Sequence, residues 1–114
     1  GGELFVPKIP SYRILDVAKA IAPSAKRDFV GIRPGEKLHE EMITASDSFH
    51  TIDIGRYYAV LPPNGKQKYL DYYNGSTEVA QGYSYNSGEN DNWVGVEEIR
   101  DLIKKNVAPD FKPI

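Results

Sequence analysis

The chain has 114 residues, of which 40% are apolar and 26% are charged, with a formal net charge of −2 and no cysteine. This length suits one domain, and the ordinary composition excludes a wholly disordered chain. The weak acidity excludes a broad basic surface, so we expect no nucleic acid and no anionic membrane as partner. The lack of cysteine excludes disulfides and thiolate metal sites. Because no apolar run reaches a membrane span and no leader is evident, we expect a cytoplasmic protein.

The first third of the chain predicts alternating strands and helices. Residues 3–8 (ELFVPK) have the composition of a short strand. Ser11 is placed to cap a helix over residues 12–22, whose apolar side chains recur at helical spacing. Residues 28–32 (DFVGI) predict a second strand, and residues 37–43 predict a short helix.

The rest of the chain is less regular until its last element. Residues 46–51 predict a polar loop, and residues 56–61 (RYYAVL) predict a strand. Residues 66–92 contain five tyrosines and several glycines, and we expect them to be irregular, with one short strand near residues 83–85. A final helix begins near Val96, after a Trp93 that we expect in the core. The order predicts a single α/β or α+β domain over residues 1–114.

A turn between the second strand and the short helix carries the clearest chemistry. In Arg33-Pro34-Gly35-Glu36 the proline suits the second turn position, and the glycine supplies the backbone angle that the third requires. The arginine can offer a planar fork to a phosphate. The carboxylate can accept two hydrogen bonds from a vicinal diol, and a helix start at Lys37 would add amide donors. This set matches a nucleoside diphosphate; the alternative is a plain surface ion pair of little energetic value.

Three stretches resemble a known enzyme family. Residues 1–11 (GGELFVPKIPS), 31–40 (GIRPGEKLHE) and 83–88 (YSYNSG) are similar to the inverting UDP-N-acetylglucosamine 4,6-dehydratases. These lyases belong to the extended short-chain dehydrogenase/reductase superfamily and serve polysaccharide and pseudaminic acid biosynthesis. The resemblance implies a C-terminal nucleotide-sugar-binding portion, with Arg33 on the diphosphate and Glu36 on the ribose. Since the chain begins with Gly-Gly and not with Met, we interpret it as a piece of a longer protein that lacks the Rossmann core.

The resemblance also implies that the chemistry lies outside this segment. The parent enzyme is expected to use NADP, yet this sequence contains neither the glycine-rich dinucleotide turn nor the Tyr-x-x-x-Lys pair. We therefore expect no catalytic residue, no cofactor-binding residue and no turnover by this chain alone. The expected partners are a UDP-sugar, the missing N-terminal Rossmann portion and, because family enzymes are oligomers, further copies of the same protein.

Other interpretations remain open at this point. A related UDP-sugar epimerase would share the same turn, because the residues that decide the reaction lie upstream. A different class of answer is an interaction module in which residues 69–85 mediate subunit contact. The lysines and tyrosines of residues 66–73 suggest nucleic-acid stacking, but packing is the favoured interpretation. We expect no metal, and take the remaining candidate ligands as solvated: His39, Glu40, Glu41, Asp47, His50 and Asp53.

Overall fold

The computed structural model describes all residues from Gly1 to Ile114. Their contacts divide the chain into two compact units. Unit 1 comprises Gly1–Ile9 and His39–Glu89, and unit 2 comprises Pro10–Leu38 and Asn90–Ile114. The function of residues 1–114 as one binding domain stays a prediction.

The elements mix short strands with three α-helices, which confirms the α/β class. None of the three helices is long and apolar enough to cross a bilayer. The strands are β1 (Leu4–Pro7), β2 (Ser11–Tyr12), β3 (Glu41–Ile43), β4 (Thr51–Asp53), β5 (Tyr57–Val60), β6 (Thr77–Glu78), β7 (Tyr85–Asn86) and β8 (Trp93–Val94). The helices are α1 (Ile14–Ile21), α2 (Lys66–Tyr72), α3 (Val96–Asn106) and a 3₁₀ turn (Asp47–His50).

Unit 1 is built on an antiparallel sheet in the order β1-β5-β4-β6. Alternating side chains of a strand point to opposite faces, so one sheet can serve two cores. One core holds Ile52, Ala59 and Leu61, against which α2 packs. The other core joins Val6, Ile43 and Tyr85, and thereby attaches the β3–β7 pair.

Unit 2 is a helical pair with a two-stranded parallel ladder between β2 and β8. Its core consists of Ala20, Val94 and Ile99. The side chain of Arg100 on α3 also donates to the carbonyl oxygens of Lys19 and Ala20 at the end of α1, at 3.3 and 3.1 Å. These bonds satisfy carbonyls that a helix end leaves without a partner.

The strand over residues 3–8, the helix over 12–22, the strand over 56–61 and the final helix are confirmed within a few residues. Two local predictions about unit 2 are wrong. Ser11 does not cap α1, because it pairs with Trp93 in β2 and the N-cap is Arg13. Trp93 is only half-buried, with the Arg13 guanidinium 5.0 Å from its ring centroid, while the adjacent Val94 lies in the core.

Four further predictions need correction. Residues 28–32 form no strand, because no neighbouring chain segment pairs with them. The predicted helix over 37–43 is instead coil followed by β3, because Ile43 is buried against Val6 and Tyr85. The loop over 46–51 contains the 3₁₀ turn, and residues 66–92 hold α2, β6 and β7 besides irregular backbone.

Candidate functional site

The turn Arg33-Pro34-Gly35-Glu36 forms as its residue types predict. The Glu36 amide donates to the Arg33 carbonyl oxygen at 3.1 Å, which closes the turn. Gly35 has φ +85°, the left-handed value that a type II turn requires at its third residue. The sequence therefore determines this bend locally, without help from a neighbouring element.

The turn also brings the two predicted ligands together. One oxygen of Glu36 (Oε2) accepts the Arg33 backbone amide at 2.9 Å, while the other (Oε1) lies 3.8 Å from Arg33 Nε. The Arg33 and Glu36 side chains are 78% and 50% exposed. A separation of 3.8 Å is too long for a hydrogen bond, and an exposed ion pair contributes little. The carboxylate is thus oriented by the backbone, whereas the guanidinium is held only weakly.

The surroundings of this turn are locally basic. Residues 26–37 contain four basic residues and two acidic ones, in a chain whose formal net charge is −2. One of these carboxylates belongs to Asp28, which lies 3.6 Å from Lys26 in an exposed pair. A local excess of positive charge favours an anionic ligand here even though the whole chain has no such field.

Residues 28–38, which we name the strap, carry the turn on an exposed stretch of backbone. The strap belongs to no strand or helix, and its preceding residue Arg27 donates to the Ala22 and Pro23 carbonyl oxygens at 3.3 and 3.4 Å. Its apolar side chains face solvent: Phe29 is 83% and Leu38 84% exposed. Because residues 37–40 are not helical, the amide donors expected from a helix start at Lys37 are not provided.

Several of the other candidate ligands contact residues outside the turn. No group of three or more His, Cys, Asp and Glu side chains is arranged to hold a metal ion. Glu41 accepts the Ser84 hydroxyl at 2.6 Å, and Asp47 accepts the Thr44 hydroxyl at 2.8 Å. The ring of His39 lies against the backbone of Gly88.

Asp53 is the best-bonded carboxylate in unit 1. The Lys8 ammonium lies 2.7 Å from both of its oxygens, and the Gly55 amide donates at 2.9 Å. Partial burial acts to raise the pKa of Asp53, but these hydrogen bonds and the charge of Lys8 outweigh it and hold that pKa below its usual value of 3.8. The pair joins the ends of β1 and β4, so we assign it a structural role.

Most of the tyrosines are used in packing. Tyr69 and Tyr73 pack against the core formed by Ile52, Ala59 and Leu61, which supports the packing interpretation of this lysine- and tyrosine-rich segment. Tyr72 remains 76% exposed.

Sequence reasoning missed a compact turn over residues 84–89, which we name the Asn86 turn. The Asn86 side-chain oxygen accepts the amides of Gly88 and Glu89 at 3.0 and 2.9 Å, and its nitrogen donates to the Ser84 hydroxyl at 3.0 Å. Asparagine commonly bonds its own backbone two residues on, so the Asn-Ser-Gly sequence was an available signal. The turn also binds residues 39–41, through contacts described below.

A groove with a volume of about 320 Å³ lies beside α3. Its lining is mainly apolar and includes neither Arg33 nor Glu36: Pro10, Asn92, Val94, Glu98, Asp101, Leu102 and Lys105. One lysine beside two carboxylates offers little to a diphosphate, so the turn remains the better candidate site.

Comparison with known proteins identifies relatives of this chain. The chain is 40% identical over 112 residues to an inverting UDP-N-acetylglucosamine 4,6-dehydratase of Campylobacter jejuni, with 90% of this chain and 33% of that protein covered. It is 32% identical over 108 residues to a UDP-glucose 4-epimerase of Rickettsia canadensis, covering 90% of this chain and 31% of that protein. The X-ray structure of Pen from Bacillus thuringiensis superposes with a TM-score of 0.73 at 27% identity, covering 92% of this chain and 32% of that one.

The two curated relatives are, by their names, enzymes that act on UDP-sugars, and this chain is similar to a segment of each. The family model described as "Polysaccharide biosynthesis protein" matches residues 1–62, and the chain belongs to this family. The expected resemblance to the inverting dehydratases is confirmed. The chain spans about a third of the length of the curated relatives that it matches.

Proposed function

We propose that this chain is the nucleotide-sugar-binding portion of a UDP-N-acetylglucosamine 4,6-dehydratase. The observation that carries the proposal is the Arg33–Glu36 turn, which holds a guanidinium and a carboxylate side by side on an exposed, locally basic segment. Two dehydratases at 40% and 39% identity support this reaction over the epimerases at 32% and 31%.

Each side chain has a distinct task in the proposed complex. The diphosphate would replace Glu36 as the partner of Arg33, because two bonds from a guanidinium fork outweigh an exposed contact of 3.8 Å. Glu36 would keep its bond from the Arg33 amide and use its remaining lone pairs for the ribose hydroxyls. The backbone therefore fixes the acceptor before the ligand arrives.

The chemical step is proposed to take place outside this segment. The full-length enzyme would use NADP, which supplies reversible hydride transfer at the sugar. The residues present here do not fit such a cofactor, since they contain no glycine-rich turn that opens a helix after a strand. We assign these residues the binding of the nucleotide sugar, and we expect this chain alone to show no dehydratase turnover.

The exposed apolar side chains of the strap support a further part of the proposal. Phe29, Val30, Ile32 and Leu38 are all exposed, and several large exposed apolar side chains along one segment are typical of a contact region. We propose that the missing Rossmann portion covers it in a longer, cytoplasmic and homo-oligomeric enzyme.

The decisive test is Arg33→Ala in the full-length enzyme, with binding of UDP-N-acetylglucosamine measured by calorimetry. Loss of a charged hydrogen-bonding group should weaken binding by roughly 1.5–3 kcal/mol. Lys26→Ala is a matched control, because it removes a cation that pairs only with exposed Asp28. Equal affinity of the Arg33→Ala enzyme and the wild type would show that the turn has only a structural role and does not bind the nucleotide sugar.

UDP-sugar epimerisation remains the second candidate function, because the chain is 32% identical over 108 residues to a UDP-glucose 4-epimerase. The two reactions differ in their products, since the dehydratase releases water and leaves a 4-keto-6-deoxy sugar. Mass spectrometry of the nucleotide-sugar product would show a product of unchanged mass for an epimerase and a loss of water for a dehydratase.

A further inference from the structure

The Asn86 turn binds the chain just after the candidate site. His39 lies three residues beyond Glu36 in the sequence. The Glu40 amide donates to the Ser87 hydroxyl at 3.0 Å, and the Ser87 amide donates to the Glu40 carbonyl oxygen at 2.8 Å. The next residue, Glu41, pairs with Asn86 in the β3–β7 ladder. The carboxyl-terminal end of the strap is therefore fixed by reciprocal bonds within unit 1.

Gly88 is the closest point of this attachment. A Cβ atom built on Gly88 would lie 2.8 Å from both Cγ and Cδ2 of His39 and 3.0 Å from its Nδ1. The crowded Cγ is the base of the imidazole ring, so a rotation about χ2 alone cannot relieve the overlap. Any side chain at residue 88 must move the ring by a change of χ1 or by a shift of backbone. The glycine is thus required by a close approach and not by an unusual φ.

The two ends of the strap differ in how firmly they are held. At the amino-terminal end, Arg27 reaches carbonyl oxygens at 3.3 and 3.4 Å, near the limit for a hydrogen bond. Between the ends, the Arg33–Glu36 turn is closed only by bonds among its own residues. The two bonds of Glu40, at 3.0 and 2.8 Å, are shorter than those of Arg27, and they begin four residues after Glu36 in the sequence.

We infer that Gly88 and Ser87 are positioning residues for the nucleotide-sugar site, acting through His39 and Glu40 on the Arg33–Glu36 turn. This inference rests on the proposed function, because UDP binding is its main readout. It adds that the position of the Arg33 guanidinium and the Glu36 carboxylate relative to the ligand depends on the packing of the His39 ring against Gly88. Neither Gly88 nor Ser87 touches the ligand itself.

The test is a double-mutant cycle on Gly88 and His39 in the full-length enzyme, with UDP affinity measured by calorimetry. Gly88→Ala should weaken UDP binding about fivefold or more, since the affinity that a protein side chain contributes falls steeply when that side chain is displaced from the ligand. The double variant Gly88→Ala/His39→Ala should recover to within about twofold of His39→Ala alone, because no ring remains to be displaced. Gly95→Ala is the matched glycine control, because a Cβ there meets nothing within 4 Å.

Two outcomes would overturn the inference. Gly88→Ala could leave the UDP affinity unchanged, or it could weaken binding without any recovery when His39 is removed. The midpoint of thermal unfolding should be measured for each variant, to show that it is still folded. Ser87→Ala provides a second, milder variant that loses only the bond to the Glu40 amide.

Hydrogen exchange of peptides over residues 33–41 separates this inference from the proposed function. In the absence of ligand, Gly88→Ala should accelerate exchange there, and the added His39→Ala should reverse the effect. If the wild type fails to bind UDP, the proposed function falls, while unchanged exchange in Gly88→Ala would still refute the coupling.

Discussion

The strap and the Asn86 turn each have a structure opposite to the one that their composition suggests. Residues 28–32 of the strap have the apolar, β-rich composition of a strand, yet they join no ladder and Phe29 is 83% exposed. The Asn86 turn is rich in polar residues, yet it is densely hydrogen-bonded and contains Tyr85, which is only 6% exposed. In these two regions, therefore, a strand-like composition does not produce a strand, and a loop-like composition does not produce a loosely held loop.

The difference follows from where backbone groups find partners. Strand composition lowers the cost of an extended chain, but a strand is stable only when a neighbouring segment satisfies its amides and carbonyls. In the Asn86 turn, the Asn86 side chain supplies such a partner locally, and the Ser87 hydroxyl accepts the amide of Glu40 from a distant part of the chain. The strap has no neighbouring strand, and within it only the Glu36 carboxylate accepts a backbone amide, that of Arg33.

The largest expected effect in this comparison comes from Tyr85. Its ring packs with Val6 and Ile43, and its hydroxyl accepts the Ile9 amide at 2.8 Å and donates to the Ile9 carbonyl oxygen at 2.9 Å. Tyr85→Ala should lower the free energy of unfolding by about 3–5 kcal/mol, because it leaves a cavity and removes both bonds. Urea denaturation followed by circular dichroism measures this change.

Two matched variants sharpen that result. Tyr85→Phe keeps the packing and should cost about 1–2 kcal/mol through the lost hydrogen bonds. Phe29→Ala in the strap removes an aromatic ring of similar size and should change stability by less than about 0.5 kcal/mol, because that ring is already exposed. A large loss in Phe29→Ala would mean that the strap is packed within this chain, which would break the comparison.

The middle effect concerns Gly35 at the centre of the strap. Its φ of +85° is strained for any residue with a Cβ, even though the space around it is open. Gly35→Ala should therefore cost about 1–2 kcal/mol in the turn conformation, and it should weaken UDP binding by a similar amount. Asparagine tolerates this region better, so Gly35→Asn should retain more affinity than Gly35→Ala in the same titration. Equal affinities of Gly35→Ala and the wild type would show that the ligand does not need this turn.

The sequence predicted those parts of the fold that local chemistry decides. The Arg33–Glu36 turn depends on Pro34 and Gly35, and the last helix depends on its own apolar stripe and charged ends, so both were predictable. Strand β3 was mistaken for a helix, because the burial of Ile43 against Val6 and Tyr85 depends on segments far away in the chain. The contact between His39 and Gly88 could not be predicted either, because neither local sequence indicates that the two residues meet.

The smallest effect is the response of the unit 1 sheet to acid, which is carried by a residue outside both regions. Asp53 joins the sheet of unit 1 to Lys8, and its pKa lies below the usual 3.8. A carboxylate whose pKa is lowered on folding adds stability above its unfolded pKa, and this stability is lost as the pH falls through the folded pKa. The free energy of unfolding should therefore decline below about pH 4, and the decline should be shallower in Asp53→Asn. A wild-type profile that superimposes on that of Asp53→Asn would show that the Lys8–Asp53 pair contributes nothing to the sheet.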